Sequence, residues 1–182
     1  MPALRTAALS VRTLIETQDH RLMLRVHRWT APRWIRVWMI YATRGGDGWL
    51  WYALGVWLLL AGPSGAALAV AESLLAATAG IVVFLKLKRW SGRRRPCALQ
   101  PHCWSTLLPP DQFSFPSGHT ITAFAVCTPL WLWRPELAPA LGFCAASVAL
   151  SRILLGMHFL SDVIAGAGIG LLLGWGAWAG LS

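Results

Sequence analysis

The sequence predicts an all-α integral membrane protein, a helical bundle of about five to six transmembrane helices behind an amphipathic N-terminal segment. Three observations carry this. The 182 residues are 56% hydrophobic and only 13% charged, where a soluble domain carries about a quarter. The mean hydropathy is +0.54, and the apolar residues form long blocks instead of alternating, which excludes a half-buried sheet. Twelve tryptophans suit the belts at the two membrane–water interfaces. The length fits one domain, residues 1–182.

Residues 1–32 interleave Leu14, Leu22, Leu24 and Val26 with Arg12, Arg21, Arg25 and Arg28. That is a basic amphipathic segment suited to lie on a membrane surface. It lacks the apolar core and small-residue cleavage site of a secretory signal, so no cleavage is expected. After Ala31-Pro32, residues 33–43 are apolar but short of the about 20 residues of a comfortable span. They fit either a shallow crossing or an interfacial helix. Gly45-Gly46-Asp47-Gly48 reads as a turn. Residues 49–62 are strongly apolar, Gly62-Pro63-Ser64-Gly65 turns the chain, and 66–87 form a span containing Glu72, expected to face the bundle interior. Residues 89–118 are polar and rich in proline. Further spans cover 119–133, 137–155 and 158–181, the last carrying Gly166, Gly170 and Gly174 as a stripe for close helix approach.

Counting crossings brings the polar loop after Lys88, the start of the 119–133 span and the stretch around His158 to one membrane face. Ionisable groups at such a boundary are costly and mark function. Lys88 and Arg95 offer donors to a phosphate. Ser117 and Gly118 precede a helix whose amides and dipole favour an oxyanion. His119 at that helix start can protonate a leaving oxygen. If the chain is helical from Met157 onward, His158 and Asp162 share a face. Asp162 then accepts a hydrogen bond from one imidazole nitrogen and leaves the other free to attack, with Arg152 nearby to hold an anion. Arg93 and Arg94 fit either a topology signal or substrate contact.

These residues form a spaced set: Lys88 with Arg95-Pro96, Pro116-Ser117-Gly118-His119, and Ser151-Arg152 with His158 and Asp162. The set resembles the signature of the type 2 phosphatidic acid phosphatase superfamily. That group also includes bacterial undecaprenyl-diphosphate and phosphatidylglycerophosphate phosphatases and the vanadium-dependent haloperoxidases. The resemblance covers the catalytic motif region, residues 86–162, and every signature position matches. It implies a metal-independent lipid phosphate or diphosphate phosphatase working through a phosphohistidine. His158 is then the nucleophile, Asp162 its orienting partner and His119 the proton donor. Lys88, Arg95, Ser117, Gly118 and Arg152 bind the phosphate oxygens. No metal or other cofactor is implied. His102 with Cys97 and Cys103 falls short of the four ligands of a structural zinc site.

Net charge is +9. The second arginine cluster lies between apolar segments, which fits anionic lipid headgroups and excludes nucleic acid as a partner. Cys127 and Cys144 read as packing residues, and Cys97 and Cys103 pair only if their loop faces an oxidising compartment. The implied partners are the bilayer and a membrane lipid phosphate: undecaprenyl diphosphate, phosphatidylglycerophosphate, phosphatidic acid and lipid A phosphate all fit. The resemblance also implies a bacterial inner (cell) membrane location with the site facing outward. A basic N-terminus opposite the site would agree with that by the positive-inside rule, but only if residues 33–43 cross. Two rivals stand beside this reading. A vanadate-dependent haloperoxidase would use the same anion cage, and a non-catalytic scaffold or transporter would have lost a motif residue.

Overall fold

The computed structural model describes residues 2–99 and 112–182, with side chains from residue 13 onward. Proline and glycine set most of the boundaries. α1 (Pro2–Arg28) gives way to an extended link ending at Pro32. α2 (Arg33–Gly45) stops at the glycine turn, and α3 (Trp49–Ala61) starts after Gly48, whose φ of 121° suits a residue without Cβ. α4 (Ala66–Ser91) is bracketed by Gly65 and Gly92, both left-handed. A short α5 (Pro96–Leu99) follows. α6 (Gly118–Trp133) opens after Ser117, and α7 (Ala138–Leu154) follows a tight turn at Pro135–Leu137. α8 (Leu160–Leu181) closes the fold.

The chain is a membrane protein: α4, α8 and the segment Pro135–Leu154 are long and apolar enough to cross a bilayer. α4 has 26 residues, about 39 Å at 1.5 Å per residue. α3 is apolar but shorter, with 13 residues. Large apolar side chains such as Leu60 and Leu172 point outward, 83% and 71% exposed, as lipid-facing residues do.

α6 is the hub. Ile121, Ala123, Ala125 and Cys127 are wholly buried against α4, α7 and α8. The expected glycine stripe is the α6–α8 contact. A Cβ on Gly170 would lie 2.5 Å from the Ile121 carbonyl oxygen, and one on Gly166 would lie 2.9 Å from the Ser117 carbonyl oxygen. The helices approach at backbone distance, which locks the start of α6 beside the start of α8. The Ser73 hydroxyl adds a bond from α4 to the Val126 carbonyl, 3.0 Å.

α2 packs against α7, with Met39 on Leu155 and Met157 and the Trp38 ring stacked on Phe143 at 5.6 Å. Glu72 faces the interior as expected, accepting a bond from the Ser182 hydroxyl at 2.9 Å. Cys103, the partner of Cys97 in the conditional pairing, and His102 lie outside the described residues.

Two expectations change. α4 runs on to Ser91, so Arg89 and Trp90, expected in the polar loop, belong to its last turn with Lys88. α8 begins at Leu160, so His158 precedes the helix and does not share a helical face with Asp162.

Candidate active site

The C-terminal ends of α2, α4 and α7 meet the N-terminal ends of α3, α6 and α8. A cavity of about 320 Å³ opens there. Lys88 comes from α4, Arg95 from the link after it, Gly118 and His119 from α6, Arg152 from α7 and His158 from the α7–α8 turn; all six line the cavity. The two imidazoles therefore border one space, as the crossing count required.

Lys88, Arg95 and Arg152 are buried. The Lys88 ammonium lies 4.5 Å from the centre of the Phe84 ring. Arg95 donates to the Met157 carbonyl at 3.0 Å, and Arg152 donates to the Thr43 hydroxyl at the end of α2. Three buried cations around one cavity favour an anion there.

His158 is 2% exposed. Its Nε2 lies 3.3 Å from Arg95 Nη1. A guanidinium only donates, so Nε2 carries the lone pair and Nδ1 the proton. The nitrogen with the lone pair thus faces the cationic end of the cavity. Burial, and then Arg152, Arg95 and Lys88, hold the imidazole well below its ordinary value of 6.5, opposed in part by the Ser114 backbone. The ring is neutral at physiological pH.

Asp162 is close but not as expected. Its Oδ2 lies 3.7 Å from His158 Nδ1, beyond hydrogen-bond reach. That oxygen accepts the Phe159 amide at 2.8 Å, because Asp162 is the third residue of α8 and caps its own helix. Oδ1 accepts Arg93 at 2.6 Å. The carboxylate is a near neighbour of the ring without a hydrogen bond to it.

Ser117 also departs from expectation. Its amide donates to the Asp162 carbonyl at 3.2 Å and its hydroxyl accepts Thr120 at 2.9 Å. It lies behind the cavity and joins α6 to α8, leaving Gly118 and His119 to face the anion.

Sequence reasoning missed three partners. Asp47, taken as a turn residue, accepts from His119 Nε2 at 2.7 Å. Thr43 holds Arg152. Asp19, in the surface segment, accepts from Arg93 at 2.7 Å. Arg93 does not line the cavity and ties two carboxylates together. A signal was available: the chain has only seven acidic residues, so each one near a cationic cluster was a candidate partner.

The chain is similar to known proteins in sequence and in fold. Residues 66–182 match the PAP2 superfamily. Phosphatidylglycerophosphatase B of Bacillus subtilis is 35% identical over 98 residues, covering 48% of this chain and 45% of that protein. Lipid A 1-phosphatase of Rhizobium johnstonii is 35% identical over 99 residues, covering 52% of this chain and 38% of that protein. The chain thus spans less than half the length of these curated relatives. The crystal structure of Aquifex aeolicus LpxE superposes with a TM-score of 0.74 at 26% identity, covering 87% of this chain and 93% of that one. A transmembrane PAP2 type phosphatidylglycerolphosphate phosphatase from Bacillus subtilis superposes at 0.69 and 24% identity, covering 91% and 85%, and supports the fold. The matched residues contain α8 and the three helices α4, α6 and α7 that carry most of the cavity wall, and the chain belongs to the PAP2 superfamily.

Proposed function

We propose that this chain hydrolyses a phosphate or diphosphate group on a membrane lipid without a metal, through a phosphohistidine at His158. The observation that carries the reading is the pair of imidazoles bordering one cavity lined by Lys88, Arg95 and Arg152. His158 Nε2 attacks phosphorus, and the bond from phosphorus to the lipid oxygen breaks. His119 gives its proton to that oxygen. Water then enters, loses a proton to His119 and attacks phosphorus; the phosphorus–nitrogen bond breaks, releasing inorganic phosphate and restoring His158. Lys88, Arg95, Arg152 and the first amides of α6 hold the phosphoryl oxygens as charge develops on them. Asp162 stabilises the ring as it becomes cationic.

A lipid substrate is supported by the wall beside the site. An apolar groove of about 280 Å³ between α3 and α4, lined by Leu54, Leu59, Val70 and Leu74, shares Tyr52, Ile81 and Thr122 with the catalytic cavity. A hydrocarbon chain there leaves its headgroup among the cations. The names of the relatives suggest phospholipid phosphate or lipid A phosphate as the substrate class.

The test is phosphate release from a panel of purified lipid phosphates and diphosphates in detergent. Release from at least one substrate is expected, lost in His158→Ala and unaffected by EDTA. Full activity in folded His158→Ala refutes the nucleophile, and strong inhibition by EDTA refutes the metal-free route. The proposed orientation has the site facing outward from a bacterial inner membrane, as the resemblance implies. α1 meets the catalytic end through Asp19, and Arg21 borders one pocket with Arg93 and Arg94, so the charge count does not favour that direction. Impermeant thiol labelling of a cysteine placed at Ser64, on the turn between α3 and α4, reads the orientation directly. Labelling from the cytoplasmic side is expected, and labelling from outside overturns it.

A further inference from the structure

We infer that Asp19 is a positioning residue for the nucleophile, supplied by α1 to the catalytic helix α8; this rests on the phosphatase reading above. α8 has a defect at its start. The residue at its N-cap is Phe159, whose side chain has no oxygen to accept an amide of the first turn. Asp19 supplies one from another helix. Its Oδ1 accepts the Ser161 amide at 3.1 Å, and its Oδ2 accepts the Ser161 hydroxyl. The same Oδ2 takes Arg93 Nη2 at 2.7 Å, while Arg93 Nη1 reaches Asp162 at 2.6 Å and the Ser161 hydroxyl oxygen at 2.7 Å.

One guanidinium therefore bridges two carboxylates, and both carboxylates sit on amides of the same helix start. Asp19 and Asp162 are 5% and 0% exposed, so both need compensation, and together they supply more than the helix end alone could balance. Arg93 is held on its third side by the Phe159 ring, 4.2 Å from the guanidinium carbon. A fork fastened at both ends has one orientation. It fixes Asp162 beside His158 Nδ1, and so fixes the direction of Nε2 into the cavity. None of these groups lines that cavity, so the effect reaches the substrate only through His158.

The substitution Asp19→Asn keeps the shape and the acceptor for the Ser161 amide but removes the charge that holds Arg93. The expected result on the best lipid phosphate is a fall in kcat of about ten-fold or more, with KM changed by less than about two-fold. The melting profile in detergent should keep its cooperative transition. Wild-type kcat in this variant overturns the inference, as does a raised KM with kcat retained. If Asp19→Asn does not fold, Arg93→Lys takes its place: a lysine keeps a cation but cannot bridge both carboxylates, and full kcat in that variant overturns the inference equally.

The wild type and His158→Ala test the phosphatase reading without touching Asp19. Nitrogen NMR of histidine-labelled protein tests the latch without turnover. The wild type should show His158 protonated at Nδ1, and Asp19→Asn should shift that signal toward a tautomer average. An unchanged His158 signal overturns the inference.

Discussion

His158 faces two demands that conflict in water. On the proposed function it must be unprotonated to attack phosphorus, yet it borders a cavity lined by three cations. The same surroundings reconcile them, since burial and the positive charges of Arg152, Arg95 and Lys88 all disfavour a second proton on the ring. The folded value is lowered, so the neutral form persists below the ordinary 6.5. The rate of the first chemical step, read in single turnovers on a short-chain lipid phosphate, should stay level from about pH 7.5 down to about pH 6. A loss that follows an ordinary imidazole would contradict the assignment. Stability runs the other way: the unfolded chain binds a proton the folded chain refuses, so this group lowers stability as pH falls through 6.5. His119 is placed differently, half-buried with Asp47 on its Nε2 at 2.7 Å. Asp47→Asn removes a charged acceptor from the proton donor. It should forfeit part of a contribution worth about 10²–10⁴-fold, seen as a lower kcat with the fold intact. Unchanged kcat would show that Asp47 is only a surface contact.

At the level of elements, the site depends on how closely α6 and α8 approach. Gly170 touches the α6 backbone directly, and a Cβ there would also come within 2.8 Å of the Phe124 Cβ. Gly170→Leu should therefore force the helices apart, costing about 1–3 kcal/mol and lowering the melting temperature in detergent. Phosphate release should fall with it, because the Ser117 amide bonds to the Asp162 carbonyl only while the two helix starts are adjacent. A variant as stable and active as wild type would remove the stripe from the argument. This contact was legible in the sequence, because three glycines four residues apart in an apolar run have few other uses. The start of α8 was not. His158 and Asp162 looked like one helical face, but Asp162 caps the helix that His158 precedes. Spacing alone does not separate those geometries, since both place the two residues near each other.

Across the whole molecule, the bundle brings four motif-bearing segments to one end, and the sequence foretold that because apolar blocks and signature spacing are local features. The partners that steady the signature were hidden for the opposite reason. Asp19, Thr43 and Asp47 lie 74, 109 and 72 residues from Arg93, Arg152 and His119. No local pattern connects residues at such separations. The readable part was the signature, and the unreadable part was the set of partners around it. On the proposed function, what joins the two is a single event: transfer of a phosphoryl group to the ring of His158 before water takes it. Rapid acid-free quenching of the enzyme with a phosphorus-labelled lipid phosphate, followed by peptide mapping, tests this most directly. Acid-labile, base-stable label on the peptide carrying His158, absent in His158→Ala, is the expected result. Steady phosphate release with no label on that peptide, or label retained in His158→Ala, would contradict it.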